Sequence, residues 1–132
     1  MGRSLILDTG VLIAYERGTI DRTIFDDDEL AVAAVTVAEF RVGIELADTQ
    51  QRAAARARRL DLLLADVAIL DYGRRTAACH AQLIAHVRRA GTPRGAHDLI
   101  IAAHAAETGR TVVSLDAKAR FGQLPGVTGI TP

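Results

Sequence analysis

HDLIIAAHAAETGRTVVSLD, residues 97–116, decides the fold. From Asp98 to Thr108 the residues are apolar on almost every side, which predicts a buried helix; Gly109 closes it, and two residues later Thr111 to Leu115 reads as a strand. So short a connection forces the helix to run antiparallel to the strand that follows. The amino end of the helix, with Asp98, therefore lies at the carboxyl end of the strand, where Asp116 also falls. Open α/β sheets place their ligands at that edge.

Working outward, the same grammar repeats. Leu5 to Leu7 predicts a first strand ending in Asp8, followed by a helix from Val11 to Arg17 with Thr9 as N-cap and Gly18 beyond its end. The acidic run Asp26 to Glu29 reads as a solvated turn. Leu30 to Val35 reads as a second covered strand, Thr36 as the start of a helix bearing Phe40, Ile44 and Ala47 on one face, and Gln50 to Ala65 as a longer Arg- and Ala-rich helix. Val67 to Leu70 gives a third strand, and a helical pattern from Arg74 to Arg89 stops at Gly91-Thr92-Pro93. Strands alternating with helices predict an α/β fold around a parallel sheet, as one domain over residues 1–132, long enough to bury about two thirds of its unfolded surface.

Composition excludes several classes. The one cysteine, Cys79, has no partner for a disulfide or a zinc site and reads as a small packed apolar group. The opening MGRSLILD is too short for a signal peptide, and no apolar run approaches the ~18 residues of a membrane span, so a cytoplasmic, soluble protein is expected. Five scattered aromatics are too few for base-stacking RNA modules. The net charge of zero hides an asymmetry: residues 1–48 carry ten acids and four bases, residues 49–132 six acids and twelve bases. Two bound divalent cations would leave the chain at about +4, which would suit a phosphate-bearing partner, but on charge alone the preferred reading is that scattered arginines keep an Ala-rich surface soluble.

Four acids, Asp8, Glu39, Asp98 and Asp116, all fall at junctions that converge on one sheet edge. Each has a structural alternative. Asp8 and Asp116 fit turn residues, Asp98 suits a helix dipole, and Thr36-Val37-Ala38-Glu39 fits a capping box. Together they repel one another and lose solvation, a combination that bound cations relieve. His97 and His104, seven residues apart, are too distant to chelate one ion directly and read as packing or surface residues, with a minor substrate role open for His97. Arg52, Arg56 and Arg59 form a helical stripe that reads as a solvated face more readily than as an RNA track.

The order Asp, Glu, Asp, Asp, with D-L-I-I-A-A-H-A opening a helix and V-V-S-L-D ending a strand, resembles the PIN-domain ribonucleases, and more closely the VapC toxins of VapBC toxin–antitoxin modules. The likeness runs from LILDTGVLIAY through VTVAEFRVGIE to the stretch around Asp116. It implies a three-layer sandwich whose central parallel sheet has four to five strands. It also implies an Mg²⁺- or Mn²⁺-dependent endoribonuclease in which Asp8, Glu39, Asp98 and Asp116 are the catalytic and metal-holding acids and Ser114 supports them. Such sites hold two hard cations about 4 Å apart on carboxylate and water oxygens. Implied partners are RNA, a cognate VapB-type antitoxin, and a homodimer or toxin–antitoxin hetero-oligomer. One departure stands out: some relatives carry a further acid shortly before the Phe that follows, where this chain has Lys118-Ala119-Arg120. Two other readings compete. A receiver domain also gathers acids on a parallel sheet, but its phosphate-pairing lysine has no counterpart except Lys118; a non-cleaving PIN-like scaffold is opposed by the presence of all four acids.

Overall fold

The computed structural model describes residues 2–116 and 119–132. Five strands, β1 (Ser4–Leu7), β2 (Glu29–Ala33), β3 (Ala68–Leu70), β4 (Thr111–Val113) and β5 (Thr128–Ile130), form one sheet in the order β3-β2-β1-β4-β5. Every pairing is parallel. The connections carry the helices α1 (Thr9–Arg17), α2 (Ala34–Glu45), α3 (Gln50–Leu63), α4 (Arg74–Ala90) and α5 (Ala96–Thr108).

Two apolar clusters separate the layers. Leu5, Leu7, Leu30, Val32 and Val113 pack with Val11 and Leu12 of α1 and, more peripherally, with Val37, Phe40 and Leu63. Ile6, Ala33 and Val112, the alternate strand residues, face the other way onto Leu83 and Val87 of α4 and Leu99 to Ala105 of α5. This is the pleat dividing side chains between two helical layers, so the expected three-layer sandwich is present with the upper strand number. Cys79 packs at the edge of the α4–α5 cluster, as its apolar reading required.

Several boundaries differ from the sequence reading. Asp8, not Thr9, caps α1, its Oδ1 accepting from the Val11 amide at 2.9 Å; both residue types cap well, and the turn after β1 comes one residue early. β2 ends at Ala33 and α2 begins at Ala34, so Thr36 is buried inside the helix and there is no side-chain cap. The capping-box role for Glu39 is thereby removed. α5 begins at Ala96, placing Asp98 in its first turn, and β4 ends at Val113, two residues before Leu115. The acidic run is only partly solvated: Asp28 forms an ion pair with Arg3 at 2.7 Å, and Glu29 opens β2 and pairs with Arg110 at 2.7 Å. β5 was not assigned from sequence. Its Gly129 lies so close to the turn at Phe121 that an added Cβ would stand 3.1 Å from Phe121 Cβ and from the Gly122 nitrogen, so the residue that weakens the strand signal is the one the packing requires.

His104 is a buried polar exception in α5. It is 1% exposed, neither ring nitrogen has a hydrogen-bond partner among the described residues, and its ring meets Tyr72 edge-on at 6.2 Å between centroids. Burial holds its pKa below the ordinary 6.5; Glu107 and Asp71 pull it upward, and His80 pushes it down further. The imidazole is neutral in the fold, so on acidification the unfolded chain binds the proton first. The stability that His104 contributes is complete above about pH 6.5 and is lost as pH falls through its folded value. The thermal midpoint is therefore expected to fall between about pH 7 and about pH 5, and His104→Leu should flatten that fall. An unchanged pH profile in the variant refutes the assignment.

Candidate active site

The acids reach their common edge by three routes. Asp8 follows β1 directly, in the middle of the sheet, and is 7% exposed. Asp116 follows β4, the neighbouring strand, and its backbone amide donates to Ser114 Oγ at 3.0 Å. The buried Ser114 hydroxyl thus shapes the turn that carries Asp116. Asp98 arrives from α5, which runs back along the sheet and hands over to β4 through Gly109 in the left-handed conformation, φ 71°.

The charges of Asp8 and Asp116 are felt at Asp98. The Asp98 carboxyl is raised above the usual carboxylate range, first by burial and then by the charges of Asp8 and Asp116; Arg94 and His97 oppose the rise. Three elements remote in sequence therefore bring negative charge onto one half-buried point.

Glu39 joins from the other side. It stands in α2, and its Oε1 accepts from Thr9 Oγ1 at 3.0 Å and lies 3.2 Å from His97 Nδ1. Thr9 adjoins Asp8 and His97 adjoins Asp98, so Glu39 is tied to both neighbours of the acid group. The sequence flagged His97 only through its adjacency to Asp98, and it treated Thr9 as a cap. Their contact with Glu39 joins residues thirty or more positions apart, and no local pattern announces such a pairing.

Carboxylates, with flanking water, are the donor set that hard divalent cations take, and crowded negative charge is what such cations neutralise. Among the described residues no three His, Cys, Asp or Glu side chains already close on one ion, so ions held here would complete their shells with water or substrate oxygens. The residues fit Mg²⁺ or Mn²⁺ on that basis. The Lys118 reading lies outside the described residues; Ala119 and Arg120 lie within them.

Other sequence candidates sit apart. Arg52 pairs with Asp48 at 2.6 Å, Arg56 donates to the Gly43 carbonyl, and Arg59 stands 3.7 Å from Glu16. A cavity of about 290 Å³ between α1, α2 and α3 is lined by Arg56 and Arg59 with Phe40, Ile44, Leu60 and Leu63, and none of the four acids borders it. The four acids lie instead at the sheet edge, where Ser114 and Asp116 line one depression and Asp98 another. No helix among the described residues is long and apolar enough to cross a membrane.

Comparison with known proteins agrees with this geometry. The family model described as PIN domain matches residues 5–125. Ribonuclease VapC5 of Mycobacterium tuberculosis is 35% identical over 128 residues, covering 95% of this chain and 90% of the relative. Among solved structures, a DNA-bound VapBC from Salmonella typhimurium superposes with a TM-score of 0.81 at 26% identity, over 99% of this chain and 98% of the other. VapBC-5 from Mycobacterium tuberculosis gives 0.74 at 30% identity, over 97% and 96%. A family model spanning nearly the whole chain, and relatives similar from end to end, show that this protein belongs to the PIN-domain family, alongside the VapC ribonucleases.

Proposed function

We propose that the chain is a VapC-type endoribonuclease that hydrolyses RNA phosphodiester bonds with Mg²⁺ or Mn²⁺, as the toxin of a VapBC-type toxin–antitoxin module. The observation that carries the reading is the convergence of Asp8 after β1, Asp116 after the adjacent β4 and Asp98 in the first turn of α5 on one edge of the sheet. Asp8, Asp98 and Asp116 would hold the principal ion once drawn together on it, its shell completed by water, and Glu39 would support a ligand or position the attacking water. Ser114 keeps the Asp116 turn in place. A bound divalent cation supplies Lewis acidity toward the phosphoryl oxygens and lowers the pKa of a water.

The chain's own groups do the rest. Glu39 has one oxygen engaged by Thr9 and His97, so the other is available to orient a water. In the balanced reaction the water oxygen bonds to phosphorus, the phosphorus–O3′ bond breaks, and the departing 3′ oxygen gains a proton. The products are a 5′-phosphate and a free 3′-hydroxyl; a 2′,3′-cyclic phosphate would rule this route out.

The structural relatives named above are toxin–antitoxin complexes. By the same reading this chain binds a cognate VapB-type antitoxin and works as a homodimer or toxin–antitoxin hetero-oligomer. An acidic edge of this kind suits a cationic inhibitory segment. The deciding experiment incubates a total small-RNA pool with the purified protein in Mg²⁺ or Mn²⁺, against EDTA. Discrete metal-dependent fragments support the reading. A folded protein that neither binds Mn²⁺ nor cleaves supports a non-cleaving PIN scaffold instead.

A further inference from the structure

We propose that the groove lined by His86, Thr92, Pro93, Arg94, Arg120 and Gln123 seats a backbone phosphate of the RNA strand beside the one being cleaved, with Arg94 and Arg120 as its cationic walls. This rests on the ribonuclease reading above. It also answers a physical difficulty of that reading, since a polyanion must approach four carboxylates.

The lining is chemically one-sided. It offers two guanidinium groups, an imidazole, a hydroxyl and a carboxamide, and no acid, around a volume of about 240 Å³, ample for a phosphodiester and part of its ribose. Its position is equally specific. Arg94 lies in the loop that leads into α5 and Asp98, and its charge already reaches the Asp98 carboxyl. Arg120 follows Asp116 by four residues and opens the short 3-10 turn Phe121–Gln123. The groove is therefore bounded by the two segments that deliver Asp98 and Asp116.

The donors are held and available. Arg94 Nη1 donates to the Ala119 carbonyl, which fastens one wall to the other and leaves further guanidinium N–H groups for a ligand. The Arg120 carbonyl accepts from the Gln123 amide at 3.0 Å, while its guanidinium makes no hydrogen bond or ion pair with any described residue and is free for a ligand. Its backbone is left-handed, φ 48°, at a position without glycine. An exposed guanidinium in a groove that holds no acid suits an external anion. Guanidinium recognises phosphate through paired N–H groups, which lysine matches only as a point charge.

The test uses equilibrium binding of a labelled single-stranded RNA to full-length protein bearing Asp98→Asn, with Mg²⁺, over a range of salt. Adding Arg120→Gln should weaken binding about five- to tenfold and make the salt slope shallower by about 0.7 for the lost phosphate contact. Arg120→Lys should restore most of the slope, and Arg58→Gln, an exposed arginine of α3, should change neither quantity. Unchanged affinity and slope in the Gln variant overturns the proposal. So does equal weakening by Arg58→Gln, because the attraction would then be diffuse. In protein with Asp98 intact, Arg120→Gln should raise KM for RNA cleavage and leave kcat nearly constant. RNA binding through Arg120 without any cleavage by the Asp98 protein would defeat the ribonuclease reading and leave the groove standing.

Discussion

Asp98→Asn is expected to lower RNA cleavage by at least about 10²-fold while leaving the protein as heat-stable as before, or more so. Asn keeps the shape of the side chain and removes the charge. Burial and the charges of Asp8 and Asp116 all disfavour the Asp98 carboxylate, so neutralising it relieves the fold of a repulsion. On the proposed reading the same change also removes one anionic ligand of the divalent cation. Loss of activity with a preserved or raised thermal midpoint, and weaker Mn²⁺ binding by calorimetry, is the expected pattern. Activity within a few-fold of the parent would show that Asp98 does not hold the ion. A lowered midpoint would show instead that the charge serves the structure.

The second large effect concerns stability alone. Ile6 is fully buried in β1, the central strand, and packs into the cluster formed with α4 and α5. Ile6→Ala should cost about 2–5 kcal/mol through lost burial and an unfilled cavity. That is a large share of the roughly 5–15 kcal/mol that holds a domain folded. A fall of about 10 °C or more in the thermal midpoint follows, with a matching drop in the denaturant midpoint. A shift of only a degree or two would mean that α5 settles onto the shortened side chain and leaves no cavity.

What the residues disclosed, and what they withheld, follows from the range of the forces involved. Asp8, Asp98 and Asp116 were legible because each ends a strand or opens a helix, and local periodicity locates such junctions to within a residue or two. Direction came from chain length: a two-residue turn after α5 leaves no room for another arrangement. The start of α2 was misplaced because Leu30 to Val35 is apolar throughout; such a run carries no period, and alanines at 33 and 34 pass from strand to helix without a marker. β5 was missed because three residues with a central glycine carry almost no strand signal, its glycine being demanded by Phe121 across the turn. The ties from Thr9 and His97 to Glu39, and the reach of Arg94 toward Asp98, depend on tertiary approach and have no local signature.

The strand order has a consequence for the moment of synthesis. β1 is made first, yet one of its two partners is β4, with Leu5 opposite Thr111. Contacts between such distant stretches form late, because a long loop must close before they form. A growing chain that has emerged as far as α3 carries Asp8 and Glu39 but neither Asp98 nor Asp116. Its acids have no fellows with which to gather ions, and β1 lacks half its sheet. The four acids stand together only once β4 has been made and has paired with β1, so the charged edge cannot assemble in a growing chain that stops short of residue 116.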